Sequence, residues 1–174
     1  LTGSTRMKQR PIGVLVDALR LLGADISYTE KEGFPPLKIK GKPLEGGIVL
    51  MNASVSSQFI TALLLISPSL KKGIQIQLSS DILSKPYIDM TLTLMKQQGV
   101  ASTWEGNRII VPSGTYKNEI IEVESDWSSI SYLFEIMALS SAGEIMVSKV
   151  DEISVQGDQK VMEFYKLFGV ESSI

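Results

Sequence analysis

Three glycines constrain this chain most. Gly23, Gly99 and Gly169 each close an apolar helical segment, in Leu19-Arg20-Leu21-Leu22-Gly23-Ala24, Leu94-Met95-Lys96-Gln97-Gln98-Gly99-Val100 and Tyr165-Lys166-Leu167-Phe168-Gly169-Val170. They stand 76 and 70 residues apart. Glycine just past a helix accepts the left-handed conformation that ends it. A second pair of marks has similar spacing: Ser56-Ser57 and Ser128-Ser129, 72 residues apart, each open a helix. Ordinary helix ends resemble one another, but here the order of elements matches as well. A period near 70 residues exceeds the roughly 20–45 residues of solenoid repeats. It suggests a compact α/β unit packed several times around an axis.

Periodicity supplies the elements. Ile12, Leu15, Val16, Leu19 and Leu22 form one helical stripe, with Pro11 suited to its first turn. Further helices are predicted over 57–66 and 87–98, around Ile130, Leu133, Phe134 and Met137, and around Val161, Phe164, Tyr165 and Phe168. Period-two runs predict strands at 25–29, 37–40, 74–78 and 108–111. Shorter strands are expected at 48–50, 120–123 and 145–147. One unit therefore reads strand (48–51), helix (57–66), strand (74–79), helix (87–98), strand (100–104), strand (108–112). The fold class is α/β (α+β), with one complete βαβαββ unit and two partial ones. Both ends cut through a repeat, and Leu1-Thr2-Gly3 opens without Met, so a piece of a longer protein is expected.

Composition narrows the chemistry. The 174 residues suit one domain, or one domain and part of another, and 44% hydrophobic residues can build a core. A net charge of −2 argues against a general nucleic-acid binder. Histidine and cysteine are both absent. That excludes, within this chain, a Ser-His-Asp triad, a cysteine nucleophile, a His/Cys zinc site and disulfides. Arg, Lys, Asp, Glu, Tyr, Ser and the backbone remain. The lack of cysteine fits the cytosol. The longest strongly apolar stretch, Phe59 to Ile66, is about half the ~18 residues of a membrane span.

Three helix starts are polar. Asn52-Ala53-Ser54-Val55-Ser56-Ser57-Gln58 connects a strand to a helix, and Ser84-Lys85-Pro86-Tyr87 repeats the arrangement. Two readings fit. Serine caps helices. Free N–H groups, hydroxyls and the helix dipole also make a phosphate or hydroxyl site. In Ser125-Asp126-Trp127-Ser128-Ser129, Asp126 caps well but repels an anion, so it reads as a structural or hydroxyl-binding carboxylate. Arg6, Lys8 and Arg10 precede the first helix, where the dipole disfavours cations. They are either a solvated turn or held for an anionic partner, which arginine grips through paired donors. Trp104 and Trp127 read as packing residues, and Glu30-Lys31-Glu32 as a solvated turn before Gly33.

These motifs together resemble the EPSP synthase (3-phosphoshikimate 1-carboxyvinyltransferase) family. The resemblance rests on Arg6-Met7-Lys8-Gln9-Arg10-Pro11-Ile12 with Leu15-Val16-Asp17-Ala18-Leu19, and on Val55-Ser56-Ser57-Gln58-Phe59 with Thr61-Ala62-Leu63-Leu64. It also rests on Ser84-Lys85-Pro86-Tyr87-Ile88-Asp89-Met90-Thr91 and, more weakly, on Gln156-Gly157-Asp158. It spans essentially the whole chain. It implies the enolpyruvyl transferase fold: two domains of three βαβαββ units each, closing on substrate. It implies transfer of the enolpyruvyl group from phosphoenolpyruvate to shikimate 3-phosphate, with release of phosphate, on the way to chorismate and the aromatic amino acids. Neither metal nor redox cofactor is implied, nor a nucleic-acid or membrane partner. A cytoplasmic, monomeric parent enzyme is expected.

The resemblance assigns Ser56, Ser57 and Ser84 to the phosphate and hydroxyl region of shikimate 3-phosphate. Gln58 falls between the substrates, and Tyr87 borders the shikimate ring. Arg6 holds phosphoenolpyruvate, with Arg10 a weaker candidate. Asp126 matches an aspartate near a domain crossing, with its role open. Residues 1–123 are expected to belong to the shikimate-3-phosphate-binding domain and 124–174 to open the second, both incomplete. The family's main acid/base groups lie outside this chain, which leaves the catalytic residues unassigned and the piece alone inactive. Ser125-Asp126-Trp127 also departs from the glycine-aspartate-alanine that many members have before the third helix. The nearest rival is UDP-N-acetylglucosamine enolpyruvyl transferase, against which the serine-serine-glutamine motif speaks. A non-catalytic α/β repeat scaffold is the other rival.

Overall fold

A computed structural model describes residues 1–52, 56–79, 82 and 84–174. The chain forms two compact units, Leu1–Asn118 and Glu119–Ile174.

The first unit opens with a one-turn helix, α1 (Thr5–Lys8), where a charged turn was expected. Its cap is Ser4, whose Oγ accepts from the Met7 N–H at 3.4 Å. Helix α2 (Gly13–Leu21) carries Leu15, Val16 and Leu19 of the expected stripe, with Ile12 and Leu22 as its caps; Val16 and Leu22 are buried. Pro11 stands before α2 rather than in its first turn. The Ile12 N–H is drawn to the Gly33 carbonyl at 2.9 Å, which holds Ile12 at a non-helical φ of −131°. Strands β1 (Asp25–Tyr28) and β2 (Leu37–Lys40) then pair antiparallel.

Beyond them come β3 (Gly47–Met51), α3 (Ser57–Ile66), β4 (Ile74–Leu78), α4 (Lys85–Gln97), β5 (Thr103–Glu105) and β6 (Arg108–Val111). The order is strand, helix, strand, helix, strand, strand. The four strands form one sheet, β3-β4-β6-β5. β3 runs parallel to β4, and the other two pairs are antiparallel. One sheet face carries Val49, Met51, Ile74, Ile76, Leu78, Ile109 and Val111 into the core, where α3 and α4 cover it. Ile60, Leu63 and Leu64 from α3 and Ile88 and Met95 from α4 supply the facing side chains. Truncating such a residue to alanine removes buried area and leaves a void, a loss of about 2–5 kcal/mol. β5 starts three residues later than expected because Val100 is still bound to the helix end, its N–H donating to Met95 O at 2.9 Å.

In the second unit, α5 (Trp127–Leu139) packs against α6 (Val161–Lys166), which a 3-10 turn (Gly157–Lys160) leads into. Trp127 and Ile130 are buried, and the Tyr165 ring lies 5.7 Å from Phe134 and 5.9 Å from Phe168. The strands expected at 120–123 and 145–147 are not formed. A period-two apolar run becomes a strand only when a ladder partner and a core face meet it. Neither segment has such a partner among the described residues, and Ile120 and Met146 are 96% and 90% exposed.

Three helices end identically. Gly23, Gly99 and Gly169 sit at φ of +102°, +80° and +80°. In each case the glycine N–H reaches the carbonyl three residues back and the next N–H reaches the one five residues back. Those are the paired bonds of a Schellman cap. No helix among the described residues is long and apolar enough to cross a membrane.

Candidate functional site

The parallel pairing of β3 with β4 organises the polar helix starts. Met51 stands beside Leu78 at the carboxyl ends of the two strands, and the Ser79 N–H donates to Met51 O at 3.0 Å. From that edge the chain enters α3 after β3 and α4 after β4, and the two helices pack against each other. The edge of two parallel strands, where helices begin, is where open α/β sheets hold ligands.

Ser56 caps α3, its Oγ accepting from the Gln58 N–H at 3.3 Å. A hydroxyl that accepts from the backbone keeps its own proton to donate. Ser56 and Gln58 are exposed and Ser57 is half-buried. Ala53, Ser54 and Val55 of the same motif lie outside the described residues. Ser84 stands at the N-cap position of α4 but makes no side-chain cap bond, contrary to the capping expectation. Its φ of −124° and ψ of 48° differ from the extended geometry that aims a cap hydroxyl at the helix. Pro86 occupies the first turn as expected. Tyr87 is 54% exposed, and its carbonyl accepts from Thr91 Oγ at 2.9 Å. Thus Ser57, Gln58, Ser84 and Tyr87 bring side chains to one sheet edge with no hydrogen bond to other described residues.

Lys85, at the same helix start, is engaged by other side chains. Its ammonium is bound by the Asp89 carboxylate, at 2.9 and 2.7 Å, and lies 4.4 Å from the centroid of the Trp104 ring. Trp104 also donates from Nε1 to Gly106 O at 3.0 Å while packing on the core. The sequence reading missed this triad. The i,i+4 spacing of Lys85 and Asp89 was the available signal.

Arg6 and Arg10 stand on the segment before α2. Both are exposed, and neither has an ion-pair partner among the described residues. Lys8 between them is paired, to Glu30 at 2.9 Å. The run around Glu30 is therefore more than a solvated turn. Glu32 lies 3.8 Å from Arg20, and the Lys31 ammonium lies 4.1 Å over the Phe34 ring.

Asp126 belongs to the second unit. It caps α5: Oδ1 accepts from the Ser128 N–H at 3.1 Å and Oδ2 accepts from Ser129 Oγ. The Ser129 hydroxyl, and then the backbone N–H groups, hold its carboxyl below the usual aspartate value. Gln156 completes that helix start. Its Oε1 accepts from the Trp127 N–H at 3.0 Å and its Nε2 donates to Ser125 O at 2.8 Å. Asp158 accepts from Ser128 Oγ. The weakly matching Gln156-Gly157-Asp158 motif thus has a local structural reason.

A family model described as EPSP synthase (3-phosphoshikimate 1-carboxyvinyltransferase) matches residues 1–172. The 3-phosphoshikimate 1-carboxyvinyltransferase of Bacteroides fragilis strain YCH46 is 46% identical over 171 residues, covering 98% of this chain and 42% of that protein. The enzyme of the same name from Photobacterium damsela subsp. piscicida is 46% identical over 174 residues, covering 98% and 41%. A solved structure of EPSP synthase from Acinetobacter baumannii superposes with a TM-score of 0.75 at 24% identity, covering 97% of this chain and 37% of that one. The fold is accordingly that of the enolpyruvyl transferases. The chain spans about two fifths of the length of the curated relatives it matches. With the motifs, the fold and a match across nearly every residue in agreement, the chain belongs to the EPSP synthase (3-phosphoshikimate 1-carboxyvinyltransferase) family.

Proposed function

We propose that this chain is the part of a 3-phosphoshikimate 1-carboxyvinyltransferase that receives shikimate 3-phosphate and presents one arginine to phosphoenolpyruvate. The whole enzyme moves the enolpyruvyl group of phosphoenolpyruvate to a hydroxyl of shikimate 3-phosphate and releases inorganic phosphate. The observation that carries the reading is the pairing of Ser56-Ser57-Gln58 with Ser84 and Tyr87 at one end of the parallel β3–β4 pair.

Residues 1–123 belong to the shikimate-3-phosphate side of the enzyme, and residues 124–174 open the other domain. Ser56, Ser57 and Ser84 bind the phosphate and hydroxyls of shikimate 3-phosphate, aided by N–H groups at the start of α3. Gln58 stands between the substrates and Tyr87 lines the ring. Arg6 grips phosphoenolpyruvate through its paired donors, with Arg10 beside it in sequence. The reaction passes through a tetrahedral intermediate, so proton transfer and charge stabilisation accelerate it. Those acid and base groups come from other parts of the enzyme, which works as a monomer in the cytoplasm.

The test is phosphate release by the full-length protein carrying this chain, given phosphoenolpyruvate with either shikimate 3-phosphate or UDP-N-acetylglucosamine. Release with shikimate 3-phosphate alone is expected. Release with the sugar nucleotide alone would keep the fold and overturn the site assignments. No release with either, from folded protein, would favour a non-catalytic scaffold.

A further inference from the structure

Arg6 sits on an element that cannot hold itself. Helix α1 has four residues, none of them buried. A helix that short has almost no stability of its own, because nucleation costs more than its few bonds return. Its position is therefore set by what ties it down.

The ties converge on the β1–β2 hairpin. The Leu1 nitrogen donates to Leu37 O, and the Leu37 N–H donates to Leu1 O, each at 2.8 Å. The Ile12 N–H donates to Gly33 O at 2.9 Å. Between these backbone anchors, among the described residues, the side-chain bond that ties α1 to the hairpin runs from Lys8 Nζ to Glu30 Oε1 at 2.9 Å. Glu30 has a firm base. The Thr29 N–H and Oγ both donate to Pro36 O, at 3.0 and 3.2 Å, closing the loop that carries it. The same bond settles the local charge. Of the three cations at 6, 8 and 10, only Lys8 is neutralised, and Arg6 is left unpaired among the described residues.

We propose that Glu30 is a positioning residue for Arg6. It fixes the turn of α1 through Lys8, and so the direction in which Arg6 meets its anionic substrate. This rests on the reading that Arg6 holds phosphoenolpyruvate.

The experiment is steady-state kinetics on the full-length protein that carries this chain. Glu30→Gln and Lys8→Met should each raise KM for phosphoenolpyruvate about three- to fivefold, the range open to an exposed ion pair. KM for shikimate 3-phosphate should stay within about twofold. Lys8→Arg, which keeps the bond, should leave both constants near wild type. The double variant Lys8→Met/Glu30→Gln should be no worse than either single one, as expected of a pair acting as a unit.

Arg6→Ala separates the two claims. It should raise KM for phosphoenolpyruvate steeply, and Glu30→Gln added to it should do nothing more. If Arg6→Ala has its effect but Glu30→Gln alone has none, positioning is wrong and the site assignment stands. An equal effect of Glu30→Gln on both substrates, or a persisting effect without Arg6, would reduce Glu30 to a structural residue. If Arg6→Ala leaves phosphoenolpyruvate use unchanged, the assignment itself fails and the proposal falls with it.

Discussion

The Lys85 ammonium stands between two partners: the Asp89 carboxylate one helical turn on, at 2.7 Å, and the Trp104 ring, 4.4 Å from its centroid. A cation so engaged is not waiting for a phosphate, although its neighbours Ser84 and Tyr87 are open. Lys85→Met in the full-length protein should change KM for shikimate 3-phosphate by less than about twofold. On the proposed reading, in which Ser84 donates to the phosphate of shikimate 3-phosphate, Ser84→Ala loses a charge-assisted hydrogen bond of about 1.5–3 kcal/mol and should raise it tenfold or more. A tenfold loss in Lys85→Met, with the fold intact by circular dichroism, would make Lys85 a ligand after all. Trp104→Leu loses the Nε1 bond to Gly106 O and part of its packing on the core as well as the cation–π contact, so it should lower stability by more than the about 0.5–1 kcal/mol of that contact alone, read by urea titration.

Arg6→Ala and Ser57→Ala should fail in opposite ways. The first should weaken use of phosphoenolpyruvate and spare binding of shikimate 3-phosphate. The second should do the reverse, each by about 1.5–3 kcal/mol. Binding of shikimate 3-phosphate by calorimetry and KM for phosphoenolpyruvate separate them. Equal losses in both constants for either variant would contradict its role.

Backbone packing gives a sharper stability test. Gly73 has φ of +63°, and a Cβ built there lies 2.3 Å from Val111 O. Gly106 has φ of +56° with nothing within 4 Å. Gly106→Ala meets only the left-handed backbone cost, about 1–2 kcal/mol. Gly73→Ala adds a clash with the strand that pairs with β4, so its loss should exceed that of Gly106→Ala. Urea midpoints for the two variants decide it, and equal midpoints would mean that Gly73 can move away from β6 freely.

Local signals were legible in the sequence, and distant ones were not. Gly23, Gly99 and Gly169 marked three helix ends because a Schellman cap is built within a few residues. The strand–helix order from β3 to β6 followed from apolar periods. The strands expected at 120–123 and 145–147 failed because a strand needs an edge to pair with, and Ile120 and Met146 do not report whether one is present. Pro11 falls just before α2 rather than in its first turn, because the Gly33 carbonyl that captures the Ile12 N–H is far along the chain. The site was read unevenly for the same reason. Ser56 as a cap is a local property. The pairs Lys8 with Glu30 and Lys85 with Trp104 bring together residues that only the folded topology makes neighbours.

Asp126 gives a pH-dependent prediction for the second unit. Its carboxyl is held below the ordinary 3.8 by the Ser129 hydroxyl first, with the Ser128 and Ser129 backbone adding to it. A carboxylate whose folded value is depressed adds stability that is complete above its unfolded value. That stability is lost as pH falls through the lower folded value. Asp126→Ala should therefore unfold at a lower temperature than wild type at about pH 7, and the gap should narrow as pH drops below about 4 and on through the lower folded value. The Glu45 carboxyl is also held below its ordinary value, by the Lys71 hydrogen bond and charge. It is present in both proteins, so its contribution cancels in the difference. Melting curves of the two proteins across that range provide the measurement. A gap that stays constant however far the pH falls below the unfolded value would mean that the ionised carboxylate contributes nothing to the cap of α5 beyond what its neutral form supplies.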